Sequence, residues 1–204
     1  MSQVEFHDGP HTTIHMGTTP GLQFLKRFVP LIEELPQTPS TSFAELREAF
    51  GPDARFFING DGPRSREETE DLLEQNTTGL CGFEYTMTRA WDIPDTATGR
   101  RTVIYEAKLS AEYRQFRPQN SITISGGPLN GVEVNILELA PVGAGQQGGF
   151  AGLWIVEQRL FGDVSPLLRL GATRVKRNFW PGVWQGFSPG SLSHRLALRW
   201  TGKQ

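Results

Sequence analysis

Cysteine is almost missing from this chain, which has one, Cys81, among 204 residues. A single cysteine excludes an internal disulfide framework and favours a reducing, cytoplasmic setting, with Cys81 as an ordinary buried small side chain. No stretch approaches the roughly 20 consecutive apolar residues of a membrane span. No apolar run follows a basic start, so the sequence predicts neither a signal peptide nor a membrane partner.

An excess of charge of one sign is also missing, because 20 Lys and Arg stand against 22 Asp and Glu, for a net charge of -2. That balance predicts no nucleic-acid partner. No glycine-rich loop follows a predicted strand and opens a helix, since Gly145 to Gly149 leads into a strand instead, which argues against a nucleotide enzyme. Histidines occur only near the two ends of the chain, and we expect no metal site and no cofactor.

The length predicts one domain with a sizeable core. Residues 1–18 are polar and are expected to form an N-terminal tail, and residues 19–170 to form the domain. Residues 171–204 are a C-terminal extension in which aromatic and basic residues alternate. Such aromatics would leave an apolar patch if exposed, so we expect them to be buried against the domain or a second subunit.

Three helices are predicted in the first part of the chain. Thr19-Pro20 is typical of a helix start, and the apolar residues that follow recur at helical spacing. Pro30 is expected to kink or end this helix. A capping box at Ser42 begins the second helix, and Ser65, followed by acidic residues, begins the third.

Strands alternate with turn residues over the rest of the chain. Alternation in the strand Phe83–Asp92 places Phe83, Tyr85, Met87 and Trp91 on one face. The order of helix, helix, strand, helix and further antiparallel strands predicts an α+β fold with helices on one face of a curved sheet. The predicted strands are 53–59, 83–92, 101–113, 119–125, 132–140 and one beginning at Trp154.

The last predicted strand has an unusual face that carries Ile155, Glu157, Arg159 and Phe161. Two apolar and two charged side chains in alternation suit the half-polar wall of a cavity. The alternative is an exposed face held by a salt bridge, with two apolar side chains among the charges.

The pattern Ile-x-Glu-x-Arg-x-Phe-x-Asp from Ile155 to Asp163, followed by Pro166-Leu167-Leu168, resembles the closing strand of the nuclear transport factor 2-like superfamily. That superfamily includes SnoaL-like polyketide cyclases, scytalone dehydratase, ketosteroid isomerase and limonene-epoxide hydrolase. The segment Phe56–Pro63, with a helix just after it, adds to the resemblance, which covers about Leu22 to Leu170. It implies a cone-shaped curved antiparallel sheet with three N-terminal helices packed on its concave face.

The resemblance also implies a cavity for a small apolar molecule and cofactor-free proton transfer. Phe57-x-Asn59 is similar to the aromatic-x-Asn pattern of limonene-epoxide hydrolases, with Phe where a tyrosine hydroxyl would act. The strand Arg101–Tyr113 lacks the Arg-x-Asp of those enzymes, and no predicted strand contains the histidines of scytalone dehydratase. No complete family site is therefore carried over.

The candidate catalytic residues each keep a structural alternative. Glu157 is a general base if apolar neighbours raise its pKa, and Arg159 holds an anionic group, or the two form only a salt bridge. Asn59 is an oxyanion donor or a turn residue. Tyr105 donates a proton or fills the core, and Asp61 is a further candidate or a turn former.

We expect Ile155, Glu157, Arg159 and Phe161 to face the cavity together with Phe57 and Asn59. The expected substrate-binding residues are Phe57, Tyr85, Met87, Trp91, Ile155 and Phe161.

Two functions remain open on the sequence alone. The first is a cyclase, isomerase or dehydratase of secondary metabolism that acts on a polyketide- or terpenoid-like molecule. The alternative is a non-catalytic binding or assembly module on the same fold. A buried carboxylate with a raised pKa would favour the enzyme, and a flat sheet face covered by a partner would favour the module. Apolar residues on both faces of the strands also predict a homodimer through the outer sheet face.

Overall fold

The computed structural model describes residues 3–37, 39–77, 80–113 and 128–162. The predictions for the strand 119–125, for the motif from Asp163 onward and for the extension 171–204 lie outside the described residues. No helix in the described ranges is long and apolar enough to cross a membrane.

Helix α1 spans Pro20–Glu34 and follows a single 3-10 turn at His11–Thr13. It runs through Pro30 without ending there. Leu31 and Leu35, beyond the proline, are 7% and 3% exposed. Their burial continues the apolar stripe and offsets the roughly 3 kcal/mol that proline costs inside a helix.

The other two helices are α2, Pro39–Ala49, and α3, Arg66–Thr77. Helix α2 begins before Ser42, so the prediction of a cap at Ser42 was wrong. The predicted start of the third helix at Ser65 is confirmed. The Glu68 backbone N–H donates to Ser65 Oγ at 3.2 Å, and the Ser65 N–H donates to the Glu68 carboxylate at 2.8 Å. These reciprocal bonds are a capping box.

The described strands form one seven-stranded sheet in the order β1-β4-β5-β6-β7-β2-β3. All neighbouring strands are antiparallel except β2 and β7, which are parallel. The sheet is curved and unclosed. Three α-helices together with this mostly antiparallel sheet confirm the α+β fold class. The strands are β1 Glu5–Asp8, β2 Phe50–Ile58, β3 Asp61–Arg64, β4 Leu80–Pro94, β5 Arg101–Tyr113, β6 Leu129–Pro141 and β7 Leu153–Gly162.

Part of the expected N-terminal tail belongs to this sheet. Residues Glu5–Asp8 pair with Arg89–Asp92 as the edge strand β1. The backbone N–H of Gly9 also donates to the carbonyl of Thr88 at 2.8 Å.

The core lies between α1 and one face of the sheet, which we call the inner face. Phe24 and Phe28 of α1 are fully buried and belong to the same apolar cluster as Val103, Leu137 and Leu139 of β5 and β6. The opposite face is the outer face. Side chains that are directly paired across strands share a face, so strand register assigns the remaining residues.

An extra residue in β4 interrupts the alternation that the sequence predicts. Met87 pairs with Ala107, but Arg89 pairs with Glu106, so Thr88 is an additional residue on β4. Such a bulge reverses which side chains point inward beyond it.

The reversal at Thr88 moves two side chains from their expected faces. Asp92, opposite Val103, is fully buried on the inner face. Trp91, opposite Ile104, lies on the outer face against Phe6, with ring centroids 5.4 Å apart. The prediction that Trp91 shares a face with Tyr85 and Met87 was wrong.

A second irregularity in β7 has the same effect. Ile155 pairs with Leu139 and Glu157 pairs with Glu138, so Val156 is additional. Gln158 then pairs with buried Leu137 and turns inward. Glu157 and the alternate residues after it turn outward.

Candidate active site

A group of polar side chains lies on the inner face, among otherwise apolar residues. We call Tyr85, Tyr105, Glu133, Asn135 and Gln158 the inner polar cluster. They come from four consecutive strands of the sheet, β4, β5, β6 and β7. Tyr105 and Asn135 are directly paired, and each is 1% exposed. Polar groups buried to this extent need hydrogen-bond partners, and the cluster supplies them internally.

The cluster is joined by a chain of side-chain hydrogen bonds. Gln158 Nε2 donates to Asn135 Oδ1 at 3.0 Å. Asn135 Nδ2 donates to the Tyr85 hydroxyl at 3.3 Å, and that hydroxyl donates to the Tyr105 hydroxyl at 3.3 Å. These hydrogen bonds fix the orientation of the Asn135 and Gln158 side-chain amides. They also hold the hydroxyl oxygens of Tyr85 and Tyr105 next to each other.

Glu133 completes the cluster as its one carboxyl group. Burial raises the pKa of Glu133, and hydrogen bonds with Tyr85 and Asn135 partly oppose that rise. A hydroxyl has one proton, so Tyr85 can donate to Glu133 or to Tyr105 at any moment. When Tyr85 donates to Glu133, the Tyr105 hydroxyl can donate to Tyr85. The two hydroxyls can therefore reverse the direction of their hydrogen bonds by rotation, without moving a heavy atom.

The two tyrosines remain protonated at neutral pH. Burial raises the pKa of Tyr85 well above 10, and the neighbouring Tyr105 and Glu133 raise it further. Burial also raises the pKa of Tyr105, while its hydrogen bond with Tyr85 lowers it. Each hydroxyl can thus donate a hydrogen bond to an oxygen that becomes negative.

At one end of the inner face the cluster borders side chains that are only half-buried. Phe83 stacks on Tyr85, with ring centroids 6.2 Å apart and an interplanar angle of 8°. Phe83, Leu109, Glu133 and Gln158 are only half-buried, whereas Tyr105 and Asn135 behind them are fully buried. An apolar molecule that packs on Phe83 and Leu109 would meet the carboxyl group and hydroxyls at their inner ends.

Four of the predicted site residues lie on the inner face. Tyr85 and Tyr105 belong to the cluster. Met87 and Ile155 are fully buried in the apolar core around it. The roles predicted for these four in catalysis or substrate binding stay predictions.

Four others lie on the outer face, because the β7 bulge reverses the expected alternation. Glu157 is 6% exposed and accepts hydrogen bonds from Arg55 at 2.7 Å and from Arg159 Nε at 2.7 Å. The Arg159 guanidinium lies 5.6 Å from the centre of the Phe57 ring, and Phe161 is 42% exposed. The expectation that Glu157, Arg159, Phe57 and Phe161 face the cavity was wrong, and the salt-bridge alternative describes this pair.

Asn59 lies at the end of β2 in a left-handed turn conformation, with φ 51°. Its Oδ1 accepts a hydrogen bond from the Gly162 backbone N–H at 2.9 Å, and its own N–H donates to the Leu160 carbonyl at 2.8 Å. Asn59 therefore ties the end of β2 to the end of β7, which is the turn role that the sequence left open. Asp61 opens β3 opposite Ile58, which pairs with Leu160.

The sequence interpretation missed Glu133, Asn135 and Gln158 as site residues. A signal was present for two of them, because Glu133 and Asn135 alternate onto the same face as Leu137 and Leu139. A polar residue on the strand face that carries the core residues is unusual, and it therefore indicates a possible site. No such signal existed for Gln158, since its inward orientation depends on the bulge at Val156. Within the described ranges, no group of three or more His, Cys, Asp or Glu side chains is placed to hold a metal ion.

No protein-family model matches the sequence, and no curated protein matches it. Several solved structures are similar to this chain over most of their own length. The pinacolase BvnE from Penicillium brevicompactum is 10% identical, over 75% of this chain and 92% of its own, with a TM-score of 0.49. Nuclear transport factor 2 from Cryptosporidium parvum is 16% identical, over 69% and 93%, with a TM-score of 0.45. ActVI-ORFA from Streptomyces coelicolor is 12% identical, over 69% and 95%, with a TM-score of 0.48.

The resemblance to the nuclear transport factor 2-like superfamily stays an interpretation of the sequence, because TM-scores below 0.5 do not establish it. Identities of 10% to 16% carry no information on the reaction. The chemistry has to be argued from the side chains of this chain.

Proposed function

We propose that this protein is a cofactor-free acid–base enzyme that isomerises, dehydrates or cyclises a small apolar molecule on the inner face of its sheet. The observation that carries the proposal is Glu133, a carboxyl group with a raised pKa beside two protonated tyrosines on an apolar wall. Perturbed titratable groups of this kind cluster at active sites. The same observation favours the enzyme over a non-catalytic module, which needs no such carboxyl group.

The proposed reaction begins with Glu133 as general base. Its carboxylate takes a proton from a carbon next to a substrate carbonyl. The electron pair of that C–H bond forms a C=C bond, and the π pair of the carbonyl moves to its oxygen. A Tyr85 or Tyr105 hydroxyl donates a hydrogen bond to this developing enolate. Glu133 then returns the proton to another atom, or transfers it to a leaving hydroxyl so that water departs. Isomerisation and dehydration thus differ only in where the proton is delivered.

The raised pKa of Glu133 suits a group that first accepts a proton and then donates it. A base with a pKa nearer to neutrality is a stronger proton acceptor, and its acid is still able to donate. Asn135 and Gln158 act as positioning residues. Gln158 donates a hydrogen bond to the Asn135 amide, and the Asn135 amide donates one to the Tyr85 hydroxyl. The substrate class remains that of the sequence-based hypothesis, a polyketide- or terpenoid-like molecule of secondary metabolism, and the proposed reaction requires that it carry a carbonyl group.

The test is Glu133→Gln, which keeps the shape of the side chain and removes the base. A panel of apolar ketones in deuterated water is monitored by NMR for deuterium incorporation next to the carbonyl and for product formation. We expect the variant to lose about 10²- to 10⁴-fold in rate with its circular dichroism unchanged.

The matched control is Glu106→Gln on the outer face, where Glu106 lies 3.9 Å from Arg89. The control should keep the full rate. Equal rates for wild type and Glu133→Gln on every ketone that turns over would contradict the proposal.

Two further parts of the interpretation stay proposals. The outer face carries the half-buried Ile104, Val134 and Ile136 and the exposed Val132, which supports a homodimer through this face. The cytoplasmic location inferred from the single cysteine is also still a prediction.

A further inference from the structure

Gly162, the last residue of β7, lies beside Glu133 on the inner face of the sheet. The two residues are directly paired, so a side chain at position 162 would point to the same side as the Glu133 carboxyl group. On its other side Glu133 pairs with the small and fully buried Ala107 of β5. The proposed base therefore stands between two positions that have little or no side chain.

Neither the backbone nor the described neighbours require glycine at position 162. The φ angle of Gly162 lies outside the left-handed region that favours glycine. A Cβ on Gly162 would lie 3.8 Å from Glu133 Cγ and 3.8 Å from Leu160 Cδ2, which is ordinary van der Waals contact. Gly51 of β2 differs, because a Cβ there would lie only 3.3 Å from the Ile155 carbonyl oxygen. Close packing therefore explains the glycine at position 51 but not the one at position 162.

A glycine within a strand weakens the strand, and it often marks a point where a ligand approaches the backbone closely. Gly162 and Glu133 are both half-buried, so each keeps some surface that solvent can reach. The room left by the missing side chain adjoins the Glu133 carboxyl group on the same side of the sheet. One small molecule can therefore contact both residues.

We infer that Gly162 is a specificity-determining residue, which admits a substituent on the substrate carbon that Glu133 deprotonates. This inference rests on the proposed function and narrows its substrate class to ketones whose reacting carbon carries an alkyl or ring group. A side chain at position 162 would stand where that group lies. Gly162 acts only through its size, because it adds no polar side-chain group to the reaction.

The experiment compares butyrophenone, which carries an ethyl group on the carbon next to its carbonyl, with acetophenone, which carries none. The dissociation constant of each ketone is measured by NMR titration at neutral pH, without turnover. Wild-type protein should bind butyrophenone about 10-fold more tightly, because two further methylene groups are buried. Gly162→Val should reduce this preference to at most about twofold, since its side chain fills the same room. The matched control is Gly17→Val, because Gly17 is exposed and a Cβ there would meet nothing within 4 Å. The control should keep the full preference.

A second variant separates this role from a structural one. Gly162→Ala adds a methyl group that the described neighbours accommodate, so its melting temperature by circular dichroism should not fall, while its preference for butyrophenone should. If Gly162→Val does not fold, Gly162→Ala and the Gly162 amide signal of the wild type decide the question. That signal should shift more with saturating butyrophenone than with saturating acetophenone.

The binding test and the catalytic test can fail independently. If Glu133→Gln leaves ketone reactions unchanged, the proposed reaction fails, while the ketone preference still reports on Gly162. No binding of either ketone by the wild type, an undiminished preference in the folded Gly162 variants, or a lower melting temperature for Gly162→Ala would each overturn the inference.

Discussion

Asp92 offers the sharpest test of how this fold is held together. Its side chain is fully buried and accepts hydrogen bonds from Arg101 Nε at 2.8 and 2.9 Å. It also accepts the backbone N–H of Gly21, in the first turn of α1, at 3.0 Å. One carboxylate therefore joins β4, β5 and the positive end of α1. A Cβ on Gly21 would lie 2.4 Å from Asp92 Cγ, which explains a glycine at this point of the helix.

Asp92→Asn keeps the side-chain volume and removes the charge. Arg101, whose side chain is 14% exposed, is then left without its counter-ion. Removing one partner of a buried ion pair costs about 3–5 kcal/mol. For a chain of this length each 1 kcal/mol lowers the melting temperature by about 2–4 °C, so we expect a fall of about 6–20 °C.

The measurement is urea unfolding followed by tryptophan fluorescence, together with thermal melts by circular dichroism. The matched control is Asp8→Asn, whose exposed carboxylate lies 3.9 Å from Arg89 and should contribute at most about 1 kcal/mol. A loss below about 1 kcal/mol for Asp92→Asn would refute the reasoning, because it would mean that Arg101 and the end of α1 find other partners at little cost.

Two further predictions concern pH and assembly. Burial, followed by the charge of Lys26, lowers the pKa of His11 below 6.5, so the folded state binds fewer protons than the unfolded state. The free energy of unfolding of wild type relative to His11→Gln should therefore fall as pH drops below 6.5, and a pH-independent difference would contradict this. The protein should be a homodimer through its outer face, and Ile136→Glu should make it monomeric by light scattering. Wild-type protein that is monomeric across micromolar concentrations would contradict the predicted homodimer.

The sequence by itself determined most of the elements and their class, but it did not predict β1 or β3. Apolar spacing after Thr19-Pro20 predicted α1, and Ser65 followed by acidic residues predicted α3, because these signals depend only on neighbours along the chain. Alternation predicted β4, β5, β6 and β7 nearly to their ends. The order of these elements was enough for an α+β fold, since a sheet with one apolar face must be covered by helices.

Tertiary structure alone decided which side chains meet. The extra residues Thr88 and Val156 shift strand pairing by one position, and each shift exchanges the inner and outer faces beyond it. A period of two read from the sequence cannot detect such a shift, because the register is set by the neighbouring strand. Glu157 thereby moved from the expected site to an outer salt bridge, while Gln158 turned inward to the hydrogen-bonded cluster.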